Sequence, residues 1–177
     1  MFSINDLDKA VRRVPDFPKP GILFYDITGI LVNPAAFSFC IDRMVDLYKN
    51  AKVDAVAAVE SRGFIFAAPF AQRLGIPLVL IRKKGKLPGK VYSCKYELEY
   101  GTAEIEVHVA DISSGKRYLL VDDLIATGGT FKAAKKIIEQ GGGSVVECFG
   151  VIGLPDLNYE RILSPMKVTT LINYHGE

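Results

Sequence analysis

Histidine is nearly absent from this chain: His108 and His175 are the only two in 177 residues. Neither stands among the candidate site residues, which argues against a side-chain nucleophile activated by histidine; each is expected at the surface or at a strand end. Cysteine is as sparse. Cys40, Cys94 and Cys148 are odd in number and widely spaced, which fits neither a disulfide framework nor a zinc site, and Cys40 and Cys148 read as small core hydrophobes. No apolar run approaches the roughly 20 residues that a membrane-crossing helix needs. Residues 1–14 mix acids with their apolar residues and have no basic region leading into an apolar core, so no secretory signal is expected and the cytoplasm is the default location. Charge of one sign is also lacking: a net +2 gives no reason to expect a nucleic-acid partner.

What is there suits one soluble domain spanning residues 1–177. A chain of this length buries roughly 70% of its unfolded surface, and 49% hydrophobic with 24% charged residues is an ordinary globular balance that needs no staples.

The most informative stretch runs from Tyr118 to Thr130, YLLVDDLIATGGT. Four apolar or aromatic residues read as a buried strand, Asp122 and Asp123 end it, and the small residues Ala126, Thr127, Gly128, Gly129 and Thr130 form a loop. Phe131, Ala134, Ile137 and Ile138 then recur at helical spacing, leaving Lys132, Lys135, Lys136 and Glu139 mainly outward. Backbone N–H groups of the glycine turn and the first helical turn suit a phosphate, worth roughly 0.3–2 kcal/mol from the helix dipole. Ionised carboxylates only accept hydrogen bonds, so the two aspartates suit hydroxyls beside that phosphate. Amides for a phosphate and carboxylates for a diol point to a ribose 5-phosphate. The chain has neither a Gly-x-x-x-x-Gly-Lys-Ser/Thr loop nor a Gly-x-Gly-x-x-Gly turn in this place, which sets aside the two common nucleotide motifs.

Elsewhere the pattern predicts a helix over 4–14 opened by Ser3 with Asp6, a proline-stiffened crossing at 15–20, a short apolar segment at 22–27, and a helix from Pro34 to about Lys49 capped by Asn33. Strands are predicted at 53–59, 78–81, 144–151 and 168–174, with a helix over 64–74, a short one over 156–163, and a hairpin over 91–110 turning near Gly101-Thr102. Repeated strand–helix alternation predicts an α/β fold, a parallel sheet with its ligand loops at the carboxyl ends of the strands. Between Arg82 and Lys95 lie six basic residues and no acid, a run that suits a polyphosphate-facing loop.

Residues 118–130 resemble the phosphoribosyl pyrophosphate motif of type I phosphoribosyltransferases. DFPKPGILF (16–24), ESRGF (60–64), RKKGKLPG (82–89) and YELEYG (96–101), in that order, are similar to the adenine-specific members of that family. The resemblance implies transfer of a phosphoribosyl group from phosphoribosyl pyrophosphate to adenine, giving AMP and pyrophosphate. It implies a short N-terminal hood (1–30) that binds the base, with Leu23, Phe24 and Leu154 at the purine, and a flexible basic loop and hairpin lid (82–101). It gives Ser61, Arg62, Arg82 and Lys86 to pyrophosphate, a non-proline cis peptide to Glu60-Ser61, and the purine proton to Glu99. It also implies Mg2+ held mainly by substrate, with no direct protein ligand, and a homodimer. Tyr25 departs from the basic residue many relatives carry there. Two alternatives share these motifs: a sensor of the same ligands without catalysis, and an enzyme for hypoxanthine, guanine or xanthine.

Overall fold

The computed structural model describes residues 2–97 and 101–176. A capping box opens α1 (Ile4–Ala10): Ser3 Oγ accepts from the Asp6 amide and Asp6 accepts from the Ser3 amide. The helix ends short of the predicted residue 14. Residues before a proline are pushed to extended backbone, and β1 (Arg12–Pro15) instead pairs antiparallel with β2 (Leu23–Asp26), Arg12 opposite Asp26 and Pro15 opposite Leu23. This ribbon is tied to the far end of the chain. Tyr25, buried, stacks on Tyr174 with ring centroids 4.0 Å apart, Tyr174 Oη donates to Asp8 Oδ1 at 2.8 Å, and the Arg13 guanidinium lies over the Tyr174 ring. Tyr25 is thus an anchor of the N-terminal segment, with its ring turned into the core.

A four-residue helix absent from the sequence reading, α2 (Thr28–Leu31), follows, its Thr28 amide held by Asp26 Oδ1 at 2.9 Å. Asn33 caps α3 (Pro34–Tyr48) by accepting from the amides of Ala35 and Ala36. Then come β3 (Ala55–Val59), α4 (Gly63–Leu74), β4 (Leu78–Lys83), β5 (Val91–Glu97), β6 (Thr102–His108), β7 (Arg117–Ile125), α5 (Gly129–Gln140), β8 (Ser144–Gly153), α6 (Tyr159–Leu163) and β9 (Lys167–Asn173).

Among the described residues, seven strands form one sheet in the order β5-β6-β4-β3-β7-β8-β9. The five from β4 to β9 run parallel, while β6 lies antiparallel on β4 and β5 antiparallel on β6. The hairpin expected over 91–110 is therefore continuous with the sheet and forms its edge. One face carries a core of Leu7, Met44, Phe66, Phe70, Leu119 and Val121, the other Leu120, Ile137, Ile138, Ile81 and Val107. Val56 to Ala58 are fully buried, as strands covered on both faces must be. The parallel strands β3 and β7 thus bring the ends of two strand-to-helix connections, 60–62 and 126–128, to one end of the sheet.

Candidate active site

The two aspartates lie inside β7 rather than at its end. Parallel pairing with β8 runs on through Asp122 opposite Gly150 and Leu124 opposite Ile152 to Ile125 opposite Gly153. The reason is that an acid on a central strand is tolerated when its charge is met. Asp123, only 3% exposed, accepts from Arg62 Nε at 2.5 Å, and Asp122 Oδ1 accepts from the Asp123 amide at 2.8 Å. Arg62 is delivered by the loop between β3 and α4, where Glu60-Ser61 is cis, as the resemblance implies; Ser61 is exposed beside it. Gly63 lets this loop sit down on β7. A Cβ there would come within 2.8 Å of the Val121 carbonyl and 2.9 Å of Asp122 Oδ1, closer than atoms pack.

Asp122, Ala126, Thr127, Gly128 and Thr130 line one cavity of about 160 Å³ together with Leu124, Ile125 and Phe131. Gly128 holds φ +83° at the start of α5 and approaches Leu163 so closely that a Cβ would meet its Cγ at 2.9 Å. The amides of the first turn have no partner within the helix, and the dipole end makes their surroundings positive. Gly129 stands at the back of this turn, near Tyr96 and the Glu97 carbonyl, and Thr130 Oγ1 donates to Tyr96 Oη at 3.3 Å. The end of β5 thus lies against the glycine turn. Glu99, two residues further, is outside the described residues.

Burial, and then the negative charge of Asp123, push the Asp122 carboxyl well above the ordinary carboxylate range. Because the folded state holds this proton more tightly than the unfolded chain, Asp122 costs stability as pH rises from the unfolded value through the folded one. Asp122→Asn keeps an oxygen for the Asp123 amide and removes the charge. We expect it to raise the melting temperature of the ligand-free protein at pH 8 by a few degrees, about 0.5–2 kcal/mol. In calorimetric scans across pH that gain should shrink towards pH 4, and an unchanged or lower melting temperature at pH 8 would contradict it.

Leu23 and Phe24 sit on β2 and Leu154 follows β8, its amide donating to Ile125 O at 2.9 Å. Leu23, Leu124 and Ala126 pack against the large apolar cluster to which Leu154 belongs; of these, Leu124 and Ala126 line the cavity. Phe24 meets Phe17 edge-on at 5.1 Å. Arg82 and Lys86 are placed differently. Arg82 is the penultimate residue of β4 and is bound side-on by Glu60, with Nη2 to Oε1 at 3.2 Å and Nε to Oε2 at 3.3 Å. Lys86, exposed in the turn after β4, lies near enough to Glu60 to help lower its pKa, after the hydrogen bonds from Arg82 and the Lys83 amide.

The basic run read as acid-free is thus met by glutamates from elsewhere: Glu60 on Arg82, Glu104 on Lys84 at 2.8 Å, and the buried Glu106 on the Gly85 amide at 2.9 Å. Sequence reasoning gave none of these pairings, nor that of Tyr96 with Thr130, because each joins residues twenty or more positions apart; alternation along β6 was the one signal available for Glu104 and Glu106. His175 Nδ1 lies 2.9 Å from Asp156, away from the cavity. Among the described residues, no three histidine, cysteine or acidic side chains converge on a point that could hold a metal, and no helix is long and apolar enough to cross a membrane.

Comparison with known proteins bears on this site through sequence and fold together. Residues 27–173 match the family described as the phosphoribosyl transferase domain. The chain is 64% identical to an adenine phosphoribosyltransferase of Treponema denticola, covering 100% of this chain and 94% of that one. It is similar to the crystal structure of adenine phosphoribosyltransferase from Thermoanaerobacter pseudethanolicus, with TM-score 0.94, 41% identity, and 97% and 100% of the two chains covered. The Saccharomyces cerevisiae enzyme, solved with an imino-altritol bisphosphate and adenine, superposes with TM-score 0.89 at 37% identity, covering 95% of this chain and 97% of that one. With such agreement along nearly the whole length, in sequence and in fold, the chain belongs to the adenine phosphoribosyltransferases of the type I phosphoribosyltransferase family.

Proposed function

We propose that the cavity between β7 and α5 holds the 5-phosphoribosyl group while this purine-salvage enzyme transfers it from phosphoribosyl pyrophosphate to adenine. The observation that carries this reading is the shared lining: Asp122 and the residues 126–128 and 130 face one space, so a sugar's hydroxyls and its phosphate would be met at once. The amides of Ala126 to Thr130 hold the 5-phosphate. Asp122 and Asp123 take the ribose hydroxyls, and their charge offsets the cationic character that builds on the sugar. Leu23 and Leu154 sandwich the purine, with Phe24 beside them. The Leu23 backbone reads the adjacent donor and acceptor of adenine, a pattern that hypoxanthine and guanine invert.

A purine ring nitrogen attacks the anomeric carbon. The new C–N bond forms as the C–O bond to pyrophosphate breaks, the electron pair leaves with pyrophosphate, and Glu99 takes the purine proton. Ser61, Arg62, Arg82 and Lys86 receive the leaving group, and the 82–101 segment excludes water that would otherwise hydrolyse the sugar. Carboxylate oxygens suit Mg2+, but Asp123 is already bound by Arg62 and no three such side chains converge among the described residues, which fits a cation that would be held mainly by substrate. When bound, Mg2+ neutralises the pyrophosphate. In this reading residues 1–30 serve the base, the enzyme acts in the cytoplasm, and a homodimer brings basic residues near the partner's site; a monomer by light scattering at assay concentration would remove that last element.

Mixed with phosphoribosyl pyrophosphate and Mg2+, the protein should release pyrophosphate with adenine. Turnover should be at least about 10⁴ lower with hypoxanthine, guanine or xanthine, because mispaired buried groups discriminate on that scale. Comparable turnover with a second base would overturn the adenine pocket, and no pyrophosphate release with any base would overturn the transferase reading.

A further inference from the structure

Both arginines assigned to pyrophosphate are gripped by carboxylates on the inner edge of the guanidinium. Arg62 gives its Nε to Asp123. Arg82 gives Nε and Nη2 to Glu60, and Glu60 Oε2 also accepts from the Lys83 amide at 2.9 Å. The Glu60 side chain is only 14% exposed, and that of Arg82 31%, so this ion pair is shielded on most sides and is held in one geometry. The Glu60 backbone is fixed too, its amide donating to Ile81 O at 2.8 Å. Side-on pairing uses two of the five guanidinium donors and leaves the outer edge, Nη1 and one Nη2 hydrogen, for an anion. Glu60 immediately precedes Ser61 and Arg62, while its carboxylate reaches across to the end of β4. One residue therefore locks the root of the basic loop to the loop that carries Arg62.

We propose that Glu60 is a positioning residue for the leaving group: it orients Arg82 and sets the start of the 82–89 loop, so that Arg82 and Arg62 meet pyrophosphate as a preformed pair. The inference rests on the transferase reading above and adds a residue to it. A carboxylate beside a cation that must bind an anion would be a liability if it merely competed. Glu60 contributes because an unrestrained arginine loses rotamer freedom on binding, and a clamped one has lost it on folding.

The test is a double-mutant cycle on the full-length protein, Glu60→Gln, Arg82→Ala and both together, read by calorimetric titration with pyrophosphate and Mg2+ and by KM for each substrate. Glu60→Gln should weaken pyrophosphate binding about 3–10-fold and raise KM for phosphoribosyl pyrophosphate by a similar factor, leaving KM for adenine and the melting temperature nearly unchanged. In the Arg82→Ala background the same substitution should cost less than about 2-fold, since coupled residues are not additive. Equal losses in both backgrounds, or tighter binding by Glu60→Gln, would overturn the positioning role while leaving the transferase reading intact. Absence of pyrophosphate binding by the unsubstituted protein would overturn both.

Discussion

Glu99→Ala lowers kcat by 10² to 10⁴ with little change in melting temperature. A general base contributes that much to a rate when it meets the proton in the transition state. The structure locates the strand that leads to it. At the end of β5 the Glu97 carbonyl comes within 3.5 Å of where a Gly129 Cβ would stand, and Tyr96 Oη accepts from Thr130 Oγ1. The polypeptide two residues before Glu99 therefore lies against the turn assigned to the 5-phosphate. Glu97 is also a carboxylate, but it is exposed on β5, so Glu97→Ala serves as the contrast and keeps kcat within a few-fold. Steady-state turnover of adenine decides: unaltered kcat in Glu99→Ala removes Glu99 from proton transfer.

Asp123→Asn weakens binding of phosphoribosyl pyrophosphate about 10–150-fold, equivalent to about 1.5–3 kcal/mol for hydrogen bonds to a charged partner. Two losses combine. The ribose hydroxyls meet a neutral amide, and Arg62, whose Nε now donates to the buried carboxylate at 2.5 Å, is left with a weaker restraint. Burial works against the Arg62 charge, but hydrogen bonding and charge from Asp123 raise the Arg62 pKa. The effect differs in sign from the stability gain expected for Asp122→Asn. Asp122 has no cation of its own at hydrogen-bond distance among the described residues, whereas Asp123 does. Titration calorimetry with phosphoribosyl pyrophosphate and Mg2+ measures it, and an unchanged dissociation constant contradicts the hydroxyl role of Asp123.

The contiguous parts of the site were legible in the sequence. Residues 118–130 carry strand, acids, turn and helix in one run, and local periodicity with glycine chemistry locates each. Pairings across long separations were not. Arg62 with Asp123 and Arg82 with Glu60 join residues 61 and 22 positions apart, and nothing in composition says which acid meets which base. The same reason explains the hairpin, whose antiparallel docking of β6 on β4 is a choice of strand partner. Helix α1 was over-extended because Val11 and Val14 fit a helical stripe, while the extended backbone that Pro15 requires, and the pairing of β1 with β2, decided otherwise. β7 was cut short at Val121 because carboxylates rarely continue a buried strand; a guanidinium from α4's leading loop makes this one an exception. Tyr25 could not be read as an anchor, since its partner Tyr174 lies at the other end of the chain.

A crystal structure with bound AMP tests the central claim most directly. The phosphate should sit on the amides of residues 126–130 with both ribose hydroxyls within hydrogen-bond distance of Asp122 or Asp123. A nucleotide whose phosphate lies elsewhere, with that turn left to solvent, would contradict it.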